Sequence, residues 1–212
     1  MTSRRDPIAD AVAAARAGHL IVFPTDTVYG IGTRPDDPAA TARLFQVKAR
    51  PPGLELPILA ATVAEARAVA RFDDRADRLS GACWPGALTL VLPRAEASSA
   101  WELGGDPETV GIRVPHHPLA LAVLAAAGPL AVTSANRSGA PPGRTCDELQ
   151  AGFGDGVDVY LCQDEPLDGL ASTVVDLAHG SARLLRAGSV APAVIERFLP
   201  GAGPLLDSRP SP

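Results

Sequence analysis

The stretch Leu20-Ile21-Val22-Phe23-Pro24-Thr25-Asp26-Thr27-Val28-Tyr29-Gly30-Ile31-Gly32 decides the class of fold. Its first four residues are apolar and β-prone, and Pro24, which has no N–H to give to a sheet ladder, stops them. The run reads as a short buried strand that ends in a polar loop. Just upstream, Asp6-Pro7 offers an N-cap followed by a proline in the first turn, and Gly18 offers a C-cap, so a helix is expected over 7 to 17. Helix, buried strand and loop in that order open an α/β domain.

The same signals recur downstream. Asp37-Pro38 starts a second helix that reaches about Val47, and the following KARPPGLELP, 48 to 57, holds too much proline and glycine to be regular. Residues 56 to 61 read as a strand, and Thr62 with Glu65 forms a capping box for the next helix. Further strands are expected at 87–92, 110–114, 130–133, 159–162, 172–177 and 183–185, with helices near 118–127, 145–151 and 192–199. Strands interleaved with helices predict an α/β fold, a twisted mixed sheet flanked by helices, in a single domain over 1–200. GAGPLLDSRPSP, 201–212, reads as a mobile C-terminal tail.

Composition narrows the function. A net charge of −5 over 212 residues argues against a protein that coats nucleic acid, whose affinity comes from surplus Lys and Arg. No apolar run approaches the roughly 20 residues that span a bilayer, and MTSRRDPIAD leads into no signal-peptide core, so the expectation is a soluble, cytoplasmic protein without a membrane partner. Cys83, Cys146 and Cys162 are odd in number and far apart, which supports core or incidental thiols rather than a disulfide framework or a metal site. His19, His116, His117 and His179 form no zinc spacing. Of the 19 basic residues only Lys48 is lysine, and Asn136 is the only asparagine. Either a GC-rich genome depleted both types, or these two survive because chemistry needs them.

Four polar segments stand where strands end, the place where open α/β sheets put ligands: Pro24 to Gly32, Lys48 to Arg50, Thr133 to Gly139, and Ser172 with Arg186. TSANRSG, 133 to 139, offers hydroxyls, an amide and a glycine suited to phosphate or ribose oxygens, or forms only a Ser/Asn turn. Lys48 and Arg50 pair a compact ammonium with a planar fork, complementary tools for a polyphosphate, or else complement a helix dipole. Arg113, inside the apolar VGIRVP, needs an anionic ligand or a structural carboxylate when buried, and Arg186 in LLRAG raises the same question. No P-loop, GxGxxG or catalytic triad is present.

Taken in order, PTDTVYGIG, KARP, WPGALTLVL, VGIRVP, TSANRSG, STVVD and LLRAG resemble the YrdC family over about residues 7 to 199. The resemblance implies a YrdC-like domain with a large concave cleft, in the short single-domain form. It also implies an L-threonylcarbamoyladenylate synthase, a nucleotidyltransferase that converts L-threonine, bicarbonate and ATP, with Mg2+ accompanying the nucleotide, into threonylcarbamoyl-AMP and pyrophosphate. That product serves threonylcarbamoylation of tRNA adenosine 37, which makes tRNA and the transfer proteins further candidate partners. By the same resemblance Lys48, Arg50, Ser134, Asn136 and Arg186 bind ATP, with Lys48 and Arg50 as the catalytic pair. Thr25, Arg113, Thr133 and Ser172 bind threonine. The chain departs from the family pattern where Leu54, Glu55 and Leu59 replace an Asn-Pro or Lys-Pro pair and a later histidine. It departs again where Pro142, Gly143 and Arg144 replace Ser-Pro-Thr.

Two competing readings follow from the residues. One is a paralogue that runs the same carbamoyl-adenylate chemistry on another substrate, with Leu54 and Leu59 shaping its pocket. The other is an RNA-binding module in which Lys48, Arg50, Arg113, Arg137, Arg144 and Arg186 grip a phosphate backbone.

Overall fold

Aspartate and threonine caps start the helices where the sequence places them. The Asp6 carboxylate accepts from the Ile8 N–H at 3.0 Å, Asp37 from Ala39 at 2.9 Å, and Thr62 from Glu65 at 3.1 Å. The computed structural model describes residues 6–199 except Pro52 and Asp168, and the backbone of Leu206–Asp207. In chain order the elements are α1 Pro7–Arg16, β1 Ile21–Phe23, β2 Gly30–Thr33, α2 Pro38–Lys48, β3 Ile58–Leu59, α3 Val63–Val69, α4 Asp74–Cys83, β4 Leu88–Pro93 and β5 Thr109–Arg113. There follow α5 Pro118–Ala127, β6 Leu130–Ser134, α6 Cys146–Phe153, β7 Val159–Tyr160, β8 Thr173–Asp176, β9 Arg183–Arg186, α7 Pro192–Arg197 and β10 Leu206–Asp207. The strands form one mixed sheet in the order β10-β9-β8-β4-β5-β3-β6-β2-β1-β7.

Three elements go beyond the sequence reading. β2 has the glycine-rich sequence GIGT, which lacks β propensity, but it is held by antiparallel pairing to β1 on one side and β6 on the other. α4 is largely polar and buries only Ala76, Leu79 and Ser80; its signal was Asp73, whose carboxylate accepts from Arg75 and Ala76 N–H at 3.0 Å each. β10 pairs parallel to β9 within the segment read as tail, the remainder of which lies outside the described residues.

The expectation of three unpaired thiols is corrected. Cys146, at the start of α6, and Cys162, just past β7, form a disulfide with a Cα–Cα distance of 5.8 Å, and Cys83 remains free. The pairing exists because the sheet carries β7 back beside α6, and no spacing of the cysteines along the chain encodes that return.

Alternation along the strands divides the interior. Leu88, Leu90 and Leu92 of β4, Val110 and Ile112 of β5, Ile58 of β3 and Val175 of β8 join a core roofed by α2, α3, α4, α6 and α7. Among the described residues the opposite face is covered only at one end, where α1 and α5 pack Ala11, Ala15, Ala120, Val123 and Leu124 onto Ile21, Phe23, Leu130 and Val132. That cover reaches as far as Leu59 of β3. Over β5, β4 and β8 the same face carries Gly111, Arg113, Thr89, Val91 and Val174 and stands open as a concavity.

Candidate active site

The open face is the floor of a cavity of about 380 Å³. Pro57, Leu59, Val91, Val132 and Val174 make it apolar, and Gly111 keeps it deep, since a Cβ there would come within 3.3 Å of Pro57 Cβ. The loop after β1, the turn after α2 and the segment before β8 form its walls. One wall approaches another closely: a Cβ at Gly169 would lie 1.7 Å from the Thr27 carbonyl oxygen, so only glycine fits.

At one end Arg113 is buried at 5 % exposure. Its Nη2 donates to Asp26 Oδ1 at 2.5 Å, its Nη1 to Thr27 Oγ1 at 2.9 Å and its Nε to the Gly86 carbonyl at 2.9 Å. Thr25 Oγ1 donates to the Val28 carbonyl at 2.6 Å, so across the 3.0 Å contact with Thr27 it accepts. The chain Arg113 to Thr27 to Thr25 to Val28 therefore runs in one direction and locks the fork. Burial lowers the proton affinity of Arg113, Asp26 opposes that effect, and the nearby charge of Arg186 adds to it.

Along the other wall Arg186 donates from Nε to the Ser172 carbonyl and from Nη2 to Ser172 Oγ, both at 2.9 Å, and Ser172 Oγ shares a 2.9 Å hydrogen bond with Thr89. Arg50 enters because Ala49 takes the left-handed conformation at φ 48° and turns the chain out of α2. Its guanidinium donates to the carbonyls of Leu54 at 3.1 Å and Glu55 at 2.7 Å. Burial, and after it the charge of Arg186, lowers the proton affinity of Arg50. Three guanidiniums thus converge over an apolar floor, an arrangement that calls for a multiply charged anion.

Thr25, Arg50, Arg113, Thr133, Ser134, Ser172 and Arg186 all line this cavity, whereas Lys48 and Asn136 sit behind it. Lys48, with 1 % exposure, donates to the carbonyls of Ser134 and Asn136, the latter at 2.7 Å, and to Asn136 Oδ1 at 3.3 Å. Asn136 closes its own loop, its Nδ2 donating to the carbonyls of Arg137 at 3.0 Å and Ala140 at 2.6 Å while its Oδ1 accepts from Ser134 Oγ. Lys48 is thus the post on which the 133–140 loop hangs. Burial, then Arg50, pushes its ammonium down to about 7.

The sequence reading gave no site role to four contributors. Asp26 and Thr27 were inside the quoted loop but had no partner until the fold brought Arg113 to them. Thr89 was a hydroxyl alternating with leucines on β4, and Glu55 a carboxylate in the apolar LELPIL.

Comparison with known proteins agrees with this architecture. Residues 13–188 match the family Sua5_yciO_yrdC, described as "Telomere recombination". A protein of Mycobacterium leprae named putative threonylcarbamoyl-AMP synthase is 42% identical over 193 residues, 91% of this chain and 87% of its own. The threonylcarbamoyl-AMP synthase of Chromohalobacter salexigens is 38% identical over 184 residues, 85% of this chain and 97% of its own. Among solved structures, Pyrococcus abyssi Sua5 complexed with L-threonine superposes with a TM-score of 0.85 at 31% identity, and this chain, 97% covered, spans 60% of that longer protein. Escherichia coli YciO superposes with a TM-score of 0.82 at 27% identity, covering 89% of this chain and 92% of its own. The chain belongs to the Sua5/YciO/YrdC family.

Proposed function

We propose that this chain is an L-threonylcarbamoyladenylate synthase, making threonylcarbamoyl-AMP and pyrophosphate from L-threonine, bicarbonate and ATP in the cytoplasm, for tRNA adenosine-37 threonylcarbamoylation. The observation that carries the proposal is one cavity holding Arg113, Arg186 and Arg50 over an apolar floor, in a fold whose relatives include one solved with L-threonine bound. A guanidinium matches a carboxylate bidentately, and Arg113 has three of its five donors engaged within the protein, leaving a share of the fork for the amino acid. Thr25, Thr133 and Ser172 line the same cavity and offer hydroxyls to the amino acid in this reading.

In the proposed reaction the threonine nitrogen bonds to the carbon of bicarbonate with loss of water, giving a carbamate. A carbamate oxygen then attacks the α-phosphorus in line, and the bond to pyrophosphate breaks as its oxygen takes the electron pair. Arg50 and Arg186, with Ser134, stabilise the charge that grows on the leaving group. Lys48 and Asn136 act from behind by fixing the Ser134 loop. Among the described residues there is no cluster of three metal-ligating side chains. Mg2+ is commonly held by substrate phosphates and water with one or two carboxylates, so it fits here as an ion carried by the nucleotide, where it neutralises phosphate charge.

The test is incubation of the protein with ATP, magnesium, bicarbonate and each amino acid in turn, with pyrophosphate measured and the adenylate identified by mass. The proposal expects release that needs both L-threonine and bicarbonate; equal release without either overturns it. Release with another amino acid alone would favour the paralogue reading, to which apolar Leu59 on the floor lends its support. The cations of the site line a cavity instead of a surface track, which favours a small anion over an RNA strand.

A further inference from the structure

The bond between Cys146 and Cys162 has no part in the proposed chemistry, yet it lies where three stretches that build the cavity meet. Cys146 ends the loop that leaves β6 at Ser134 and runs into α6. Cys162 opens the stretch 162–167, whose Gln163 N–H donates to Tyr29 Oη at 3.2 Å and whose Leu167 N–H donates to the Arg144 carbonyl at 2.9 Å. Tyr29 lines the cavity, and its carbonyl accepts from the Ala135 N–H at 2.7 Å, which ties the loop after β1 to the loop after β6. The latter loop is pinned twice: Lys48 holds its start through Asn136, and the disulfide holds its end. Between the pins, N–H groups donate from Ser138 to Lys48 at 3.0 Å, from Ala140 to Arg137 at 3.0 Å and from Gly143 to Ala135 at 3.3 Å. Residues 137–141 are exposed, so little burial fixes them and the pins matter more.

Disulfides in a cytoplasm are usually transient and redox-sensing, because cellular thiols reduce them. Cys146 and Cys162 are only half-buried, within reach of such small thiols. Resting on the proposed use of ATP in the cytoplasm, we infer that the Cys146–Cys162 bond is a redox-controlled second pin of the loop that presents Ser134, and that closing it tightens nucleotide binding. The oxidant is a low-molecular-weight disulfide. One cysteine attacks it as a thiolate and releases one thiol of the oxidant; the other cysteine then attacks the mixed disulfide and releases the second. Two electrons pass from the cysteine sulfurs to the oxidant, and the two cysteine protons leave on the released thiols. Closing the bond removes loop conformations in which Ser134 and the 162–167 stretch move apart, so the binding-competent arrangement gains population.

The test compares the full chain after dithiothreitol and after oxidised glutathione, beside Cys162→Ser and Cys83→Ser. All three cysteines should react with a thiol reagent in the first state and Cys83 alone in the second. Calorimetry is expected to show ATP bound about threefold to tenfold more tightly by the oxidised form. Hydrogen exchange at the amides of Ser138, Ala140 and Gly143 should slow in step with it. Dithiothreitol reverses both changes, Cys162→Ser shows the reduced values under either treatment, and Cys83→Ser keeps the full response. Equal ATP affinity in the two redox states, a response that survives in Cys162→Ser, or a failure of oxidised glutathione to close the bond overturns the inference while leaving ATP as substrate. If neither redox form binds ATP, the proposed function falls, and the exchange of the three amides alone decides whether the pin exists.

Discussion

Lys48 Nζ donates to the Asn136 carbonyl at 2.7 Å, so the only lysine and the only asparagine of the chain are bonded to each other. Neither lines the cavity, and the pair holds the loop that presents Ser134 to it. In the proposed function their effect on chemistry is exerted through loop geometry.

Replacing Lys48 by alanine is therefore expected to lower stability and turnover together. The loss of a buried stem and the orphaning of its carbonyl partners cost about 2–5 kcal/mol, read as a shift in the denaturant midpoint. Turnover should drop by orders of magnitude even at temperatures where the variant is folded. A variant of wild-type stability that has lost only turnover would instead place the ammonium on the reacting phosphates.

The same burial sets a pH dependence. Lys48 has a folded pKa of about 7, below the 10.5 of the unfolded chain. Between those values the unfolded state binds more protons, so the penalty for burying the ammonium is full below about 7 and is relieved as pH rises toward 10.5. Thermal unfolding of wild type and Lys48→Met across this window checks the sign, because the difference between the two curves should shift in favour of wild type as pH rises.

Arg113→Lys keeps a charge beside Asp26 but loses the fork. Threonine affinity should fall ten- to a hundredfold, about 1.4 to 2.8 kcal/mol, with ATP affinity little changed. Asp26→Asn should move threonine affinity in the same direction, since Asp26 aims the guanidinium through a 2.5 Å contact. Calorimetry with each substrate separates these outcomes, and unchanged threonine affinity in both variants would leave Arg113 as a structural ion pair.

Ser172→Ala removes the acceptor of Arg186 Nη2 and the partner of Thr89. Loss of these hydrogen bonds should cost about 1–2 kcal/mol of stability, and kcat/KM for ATP should fall because Arg186 is no longer aimed. Wild-type kinetics in a folded Ser172→Ala variant would show that the Nε contact to the Ser172 carbonyl suffices to hold Arg186.

Local chemistry in the sequence determined the helix starts at Asp6-Pro7, Asp37-Pro38 and Thr62, the buried run 20–23, and the residue types that could meet an anion, because caps, prolines and apolar runs act within a few residues of themselves. The same locality explains what was hidden. GIGT became a strand only between two neighbours, and Cys146 met Cys162 only after β7 returned beside α6. Tertiary structure alone decided that α1 and α5 stop at Leu59, so that among the described residues the face over β5 and β4 stands open as a cavity. It also separated Lys48 from Arg50, two residues apart in the chain, through the left-handed turn at Ala49, sending one side chain behind the site and the other into it. Burial and approach at that range depend on the summed packing of distant segments, for which no short stretch of sequence carries a signal.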